Sequence, residues 1–138
     1  MTVTLNTAEG RGGVMVLDVV GAASTDGGGI GSFANPLGAD LLITKAFWHV
    51  VEHSAGGANI SMGIGIENAS STDIINALAC GAGTEPGKVW QAEADAGAKT
   101  EVVPAVWLDH LFLNIKGSAT TVGLVGKLYL YFIRLDTD

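Results

Sequence analysis

The sequence predicts an all-β fold in a single domain, an antiparallel β-sandwich of the jelly-roll or a related Greek-key kind. Three observations carry this. Segments with apolar–polar alternation at period two recur along the chain, clusters of Gly, Ser, Asn, Asp and Pro separate them, and no segment sustains a helical period. A parallel α/β architecture would need helices of about 10–15 residues between its strands, and none can be drawn.

Taken in order, residues 1–12 read as an N-terminal arm and residues 13–138 as the sandwich domain. Within the arm, Thr2, Val3, Thr4 and Leu5 suit an extended segment able to add to a neighbouring sheet edge, because main-chain hydrogen bonds ask little of side chains. Gly13 to Val20 is the first clear strand, followed by a glycine-rich loop whose residues lose too much entropy in regular structure. Leu41 to His53 suits a long strand with Phe47, His49, Val51 and His53 on one face and Trp48, Val50 and Glu52 on the other. Both faces carry bulk, which suits a strand covered on both sides. Asn59 to Ile66 alternates most cleanly, with Ile60, Met62, Ile64 and Ile66 sharing a face and Ser61, Gly63 and Gly65 opposite. Ser71 to Leu78 fits either a capped helical turn or an extended crossover. Lys88 to Ala92 forms a short strand around Trp90. Ala105 to Lys116 reads as one strand with Trp107, Asp109, Leu111, Leu113 and Ile115 on one face. Thr121 to Leu135 closes the chain, with Leu128, Leu130 and Phe132 against Tyr129, Tyr131 and Ile133.

Composition narrows the function. The chain of 138 residues is 48% hydrophobic and only 15% charged, where about 25% charged is usual. So weakly ionic a surface predicts that part of it is covered by other subunits. The net charge of −7, with seven Lys and Arg in all, argues against nucleic acid, whose affinity comes from basic residues displacing counterions. Apolar stretches are broken by Lys45, Glu52, Asp109 and Lys127, so no membrane span is expected. Residues 1–13 read polar, without the apolar core of a secretory leader. The one cysteine, Cys80, has no internal partner and no charged neighbour to activate it, which predicts a buried small residue.

No catalytic constellation assembles. His49 and His53 have the spacing of a helical metal pair, but four strand residues span roughly 13 Å, too far for one ion. Asp109 and His110 are adjacent, so only one could assist. Gly83 to Val89 imitates a phosphate loop, yet Ala82 and Val89 occupy positions that need Gly and Ser or Thr. Gly29 to Ala34 imitates a dinucleotide fingerprint without the strand-turn-helix setting, and reads as a loop. No serine has a nucleophile elbow, and the carboxylates Glu52, Glu67, Asp73, Glu93, Asp95 and Asp109 cannot be paired from sequence. The expectation is a non-enzyme without metal or cofactor.

Three stretches resemble small structural proteins of tailed-phage virions, in particular head decoration, or capsid-stabilising, proteins. They are Met62-Gly63-Ile64-Gly65-Ile66 running into Asn68-Ala69-Ser70-Ser71-Thr72-Asp73, then Lys88-Val89-Trp90, and the ending from Thr121 to Arg134. The resemblance implies a compact β domain, a homo-oligomer and commonly a trimer, made in the host cytoplasm and seated on the capsid exterior against the major capsid protein. Its interface residues would include Thr2, Val3, Thr4, Leu5, Trp48, Trp90 and Trp107. A tail or fibre-associated virion protein is the near alternative. A carbohydrate-binding β-sandwich module, stacking sugar rings on Trp48, Trp90 or Trp107, is the alternative from another class, and a small jelly-roll hydrolase is a third.

Overall fold

Residues 3–8, 12–22, 30–69, 74–81, 86–91 and 105–135 are described by the structure, a computed structural model. Their alternating segments form β1 (Val3–Ala8), β2 (Gly12–Val20), β3 (Gly31–Ala34), β4 (Leu41–Glu52) and β5 (Asn59–Gly65). The second half supplies β6 (Ile75–Ala79), β7 (Val89–Gln91), β8 (Ala105–Trp107), β9 (Phe112–Gly117) and β10 (Val125–Arg134). A six-stranded sheet runs β1-β2-β10-β4-β7, with β8 also on β4, and a four-stranded sheet runs β3-β9-β5-β6. Because β7 pairs with Phe47–His49 and β8 with Leu41–Ile43, the two share the edge of β4 that faces away from β10. Counted as one position, and with β1 set aside, they leave two four-stranded antiparallel sheets. In that reduced set the chain crosses between sheets at every connection except that from β5 to β6. That connectivity is the jelly roll.

Period-two alternation turns one face of each sheet inward. Met15, Leu17 and Val19 of β2, Leu128, Leu130 and Phe132 of β10, and Ile43, Trp48 and Val50 of β4 meet Ile60, Met62, Leu113 and Ile115 of the other sheet in one buried core. Burying such a side chain fully contributes about 1.5–3 kcal/mol. Two register shifts between β4 and β10, at Val125/Gly126 and Tyr131/Phe132, leave Val51 and Thr44 as extra residues on β4. Such bulges bend and twist the strand, which lets the longest strand here follow the sandwich. Gly126 is required where it stands, since a Cβ there would collide with the Trp48 ring.

Several expectations need correction. The N-terminal segment expected to add to a neighbouring sheet edge is β1, and its Val3, Thr4 and Leu5 lie opposite Leu17, Val16 and Met15 of β2, so the edge it adds to is in the chain's own sheet. This pairing puts residues on both sides of the expected boundary at residue 12 in one sheet. Thr2 lies outside the described residues. Trp48 and Trp107 are not surface residues: both have 0% exposure. Alternation places each with the core residues of its strand, and Trp107 Nε1 donates to the Leu111 carbonyl at 2.9 Å.

The single strand expected over Ala105–Lys116 is two, β8 and β9, in different sheets. Between them the chain turns at Leu108–Leu111: Leu111 N–H donates to the Leu108 carbonyl at 3.0 Å, and Asp109 N–H to Asp40 Oδ1 at 2.9 Å. Gly31 to Ala34, expected as loop, is β3 paired to β9. Ile75–Ala79 takes the extended option; Ser71 to Asp73 lie outside the described residues. Ile66 leaves the β5 face for a turn and is 72% exposed.

Candidate interaction face

The two sheets present different outer faces. On the four-stranded sheet, the register aligns Ser32 with Asn114 and Gly63, and Lys116 with Ser61. Small and polar residues are what solvent-facing strands ordinarily carry. This face is further covered by the turn after β5. Asn114 Nδ2 donates to the Ile66 carbonyl at 3.0 Å, and Asn68 N–H donates to Ser32 Oγ at 2.8 Å and to Asn114 Oδ1 at 3.1 Å. Asn68 holds the left-handed conformation that the turn needs, at φ 65°.

The six-stranded sheet is the reverse. Its outward rows place Ile133 between Gly12 and Leu42 with Val106 beyond, Tyr131 between Val14 and Lys45, and Tyr129 between Val16 and Phe47. The next rows place Lys127 between Asp18 and His49 with Val89 beyond, and Val125 between Val20 and Glu52. Tyr131 is 40% exposed, Ile133 45% and Val20 64%. Phe47 and Tyr131 pack edge to face with ring centroids 5.8 Å apart, which pre-orders two aromatic side chains on the surface. A sheet face with several exposed apolar side chains is a candidate interaction surface.

Charge on the face is nearly self-compensated. Lys127 Nζ donates to Asp18 Oδ1 at 2.9 Å. That hydrogen bond, and next the Asp18 charge, hold the Lys127 ammonium above its ordinary value of 10.5. The pairing is complete below that value and is lost as pH rises through the higher folded one.

The remaining candidates are dispersed. His49 lies on the outer face of β4, while His53 follows the strand with Nδ1 2.7 Å from the Ser54 carbonyl. Asp109 and His110 share an exposed turn with their side chains 3.4 Å apart. Among the described residues no three His, Cys, Asp or Glu side chains are grouped as metal ligands would be. Cys80 is buried, and desolvation pushes its thiol up to about 11. Of the phosphate-loop imitation, residues 82–85 lie outside the described set, and Pro86 and Gly87 form a turn into β7. Trp90 sits opposite Trp48 in register, with its side chain outside the described residues. The outward residues Phe47, Tyr131, Ile133 and Val106 were not singled out from sequence. The available signal was the double-sided bulk of the two longest strands.

Fold and face together define a jelly-roll β-sandwich whose larger sheet turns an apolar surface outward. No protein-family model matches the chain, and no curated protein matches it. Among solved structures it is similar to a chain of "Capsid of Ralstonia phage GP4", with a TM-score of 0.59 at 15% identity over 99% of this chain and 93% of that one. At that identity the likeness is one of fold, and it runs nearly end to end on both chains.

Proposed function

We propose that this chain is a structural protein of a tailed-phage virion, a head decoration protein that binds the exterior of the mature shell and acts without catalysis. The observation that carries the reading is the end-to-end fold likeness to a chain from a phage capsid. The apolar outer sheet supports it, because a surface of that kind is stable in water when other subunits cover it. The partners are the major capsid protein and further copies of this chain. Binding the assembled lattice and not its dissociated subunits stabilises the shell by mass action, by about 2.7 kcal/mol per site when the free protein stands at a hundred times its dissociation constant.

The test is reconstitution. Purified protein is added to expanded shells that lack it, and sedimentation and shell melting are followed. Saturable co-sedimentation with a rise in shell melting temperature is expected. Binding only to tails, or to no virion part, would refute the decoration role. Of the three rings the carbohydrate module would use, Trp48 and Trp107 are enclosed in the core and the Trp90 side chain lies outside the described residues.

A further inference from the structure

We infer that the outward face of the six-stranded sheet is where a second copy of this chain seats, face to face about a two-fold axis running along β10. This deepens the self-association part of the proposed function and does not depend on shell binding.

Three observations lead to it. The first is charge. A chain of net charge −7 repels its own copy except where its acids are few. On this face the rows hold two, Asp18, already compensated by Lys127, and Glu52 at the rim.

The second is the order of polar groups across the strands. Asp18 lies on β2, to one side of β10, while Lys45 and His49 lie on β4, to the other. A two-fold axis along β10 lays each copy's β2 over the other's β4 at the same height along the strands, so each Asp18 meets the partner's His49, which shares its row, while Lys45 lies over Val14. The Lys127 side chains that approach near the axis each keep their own Asp18. A patch made for an unrelated surface has no reason to be self-complementary, whereas an isologous contact requires it.

The third is size. Five strand positions and the outward length of β10 give a footprint of about 24 Å by about 27 Å, from the standard strand spacing and rise. Roughly 650 Å² per copy, or about 1,300 Å² for the pair, reaches the range of specific interfaces. Stacked sheets also keep their strands within about 30° of each other, which agrees with an axis parallel to β10.

The experiment is sedimentation of the full chain across concentration. Wild type is expected as a two-copy species. Tyr131→Lys with Ile133→Lys is expected to give one copy with an unchanged far-ultraviolet spectrum and a cooperative melt, while Ala34→Lys on the opposite sheet leaves two. Asp18→Lys raises the dissociation constant by about tenfold or more, and His49→Asp added to it restores part of the loss. Should the double variant not fold, hydroxyl-radical footprinting of wild type at low and high concentration replaces it, with Tyr129 and Tyr131 protected at high concentration. A wild-type monomer, a three-copy species, or protection that spares both tyrosines would overturn the inference. Two-copy protein that fails to bind shells would instead count against the decoration role alone.

Discussion

Trp48 and Gly126 constrain one another: the indole occupies the space above the glycine on the neighbouring strand. Gly126→Ala therefore drives a methyl into the ring, and its chemical denaturation midpoint should fall well below wild type. Trp48→Ala opens a cavity and should cost about 3–5 kcal/mol. Trp48→Phe should be far milder, because among the described residues the buried Nε1 has no hydrogen-bond partner to lose. Had Trp48 belonged to the surface, all these changes would be nearly silent in a urea titration. Cys80 gives a prediction in pH. Its folded thiol titrates near 11 against an ordinary 9.0, so the native state binds its proton more tightly than the unfolded chain does. That contribution is whole below pH 9.0 and is lost as pH rises toward about 11. Melting temperature should fall over that window, and Cys80→Ala should lessen the fall.

At the scale of elements, the turn after β5 is held from β3 and β9 by Ser32, Asn114 and Lys116, and only Asn114 among them is buried. Asn114→Ala removes the donor to the Ile66 carbonyl and the acceptor for Asn68 N–H, a loss of about 1–3 kcal/mol. Amide exchange at residues 66–69 should quicken by more than exchange in β10. This turn also shows where sequence reading stopped. The strands β2, β4, β5 and β10 were legible because each is long enough for a period of two to stand out. Nothing local revealed that Asn114, between Leu113 and Ile115, is covered by a turn 46 residues earlier, where Asn68 binds it. Similarly, β8 and β9 read as one strand because Asp109 and Leu111 keep the alternation through a turn held by distant Asp40. Gly31–Ala34 is too short to show a period, and its strand exists because β9 offers an edge. Of the candidate face, the bulk on both sides of β4 and β10 was visible. The enclosure of Trp48 and Trp107 was not, since a large aromatic residue reads equally as core or as anchor.

At the scale of the whole molecule, the sandwich is asymmetric: one outer face carries mostly small and polar residues, Phe112 apart, and is overlaid by its own turn, and the other is broad and richer in apolar side chains. Association through the broad face should depend only weakly on salt. Raising ionic strength from 0.1 to 1 M shortens the screening length from about 10 to 3 Å, which weakens the charged rows and leaves the apolar ones. The dissociation constant, followed by sedimentation, should shift by less than about tenfold; a larger shift would mean that charge, and not apolar contact, holds the copies together. The edges of the same sheet are as unequal as the faces. The outer side of β1 has no paired strand among the described residues, whereas the opposite border is broken between two three-residue pieces, β7 and β8. One-dimensional growth requires two adhesive ends, and this sheet offers one. Backbone pairing through this sheet should thus terminate once a pair of β1 strands has met, which guards it against end-to-end growth.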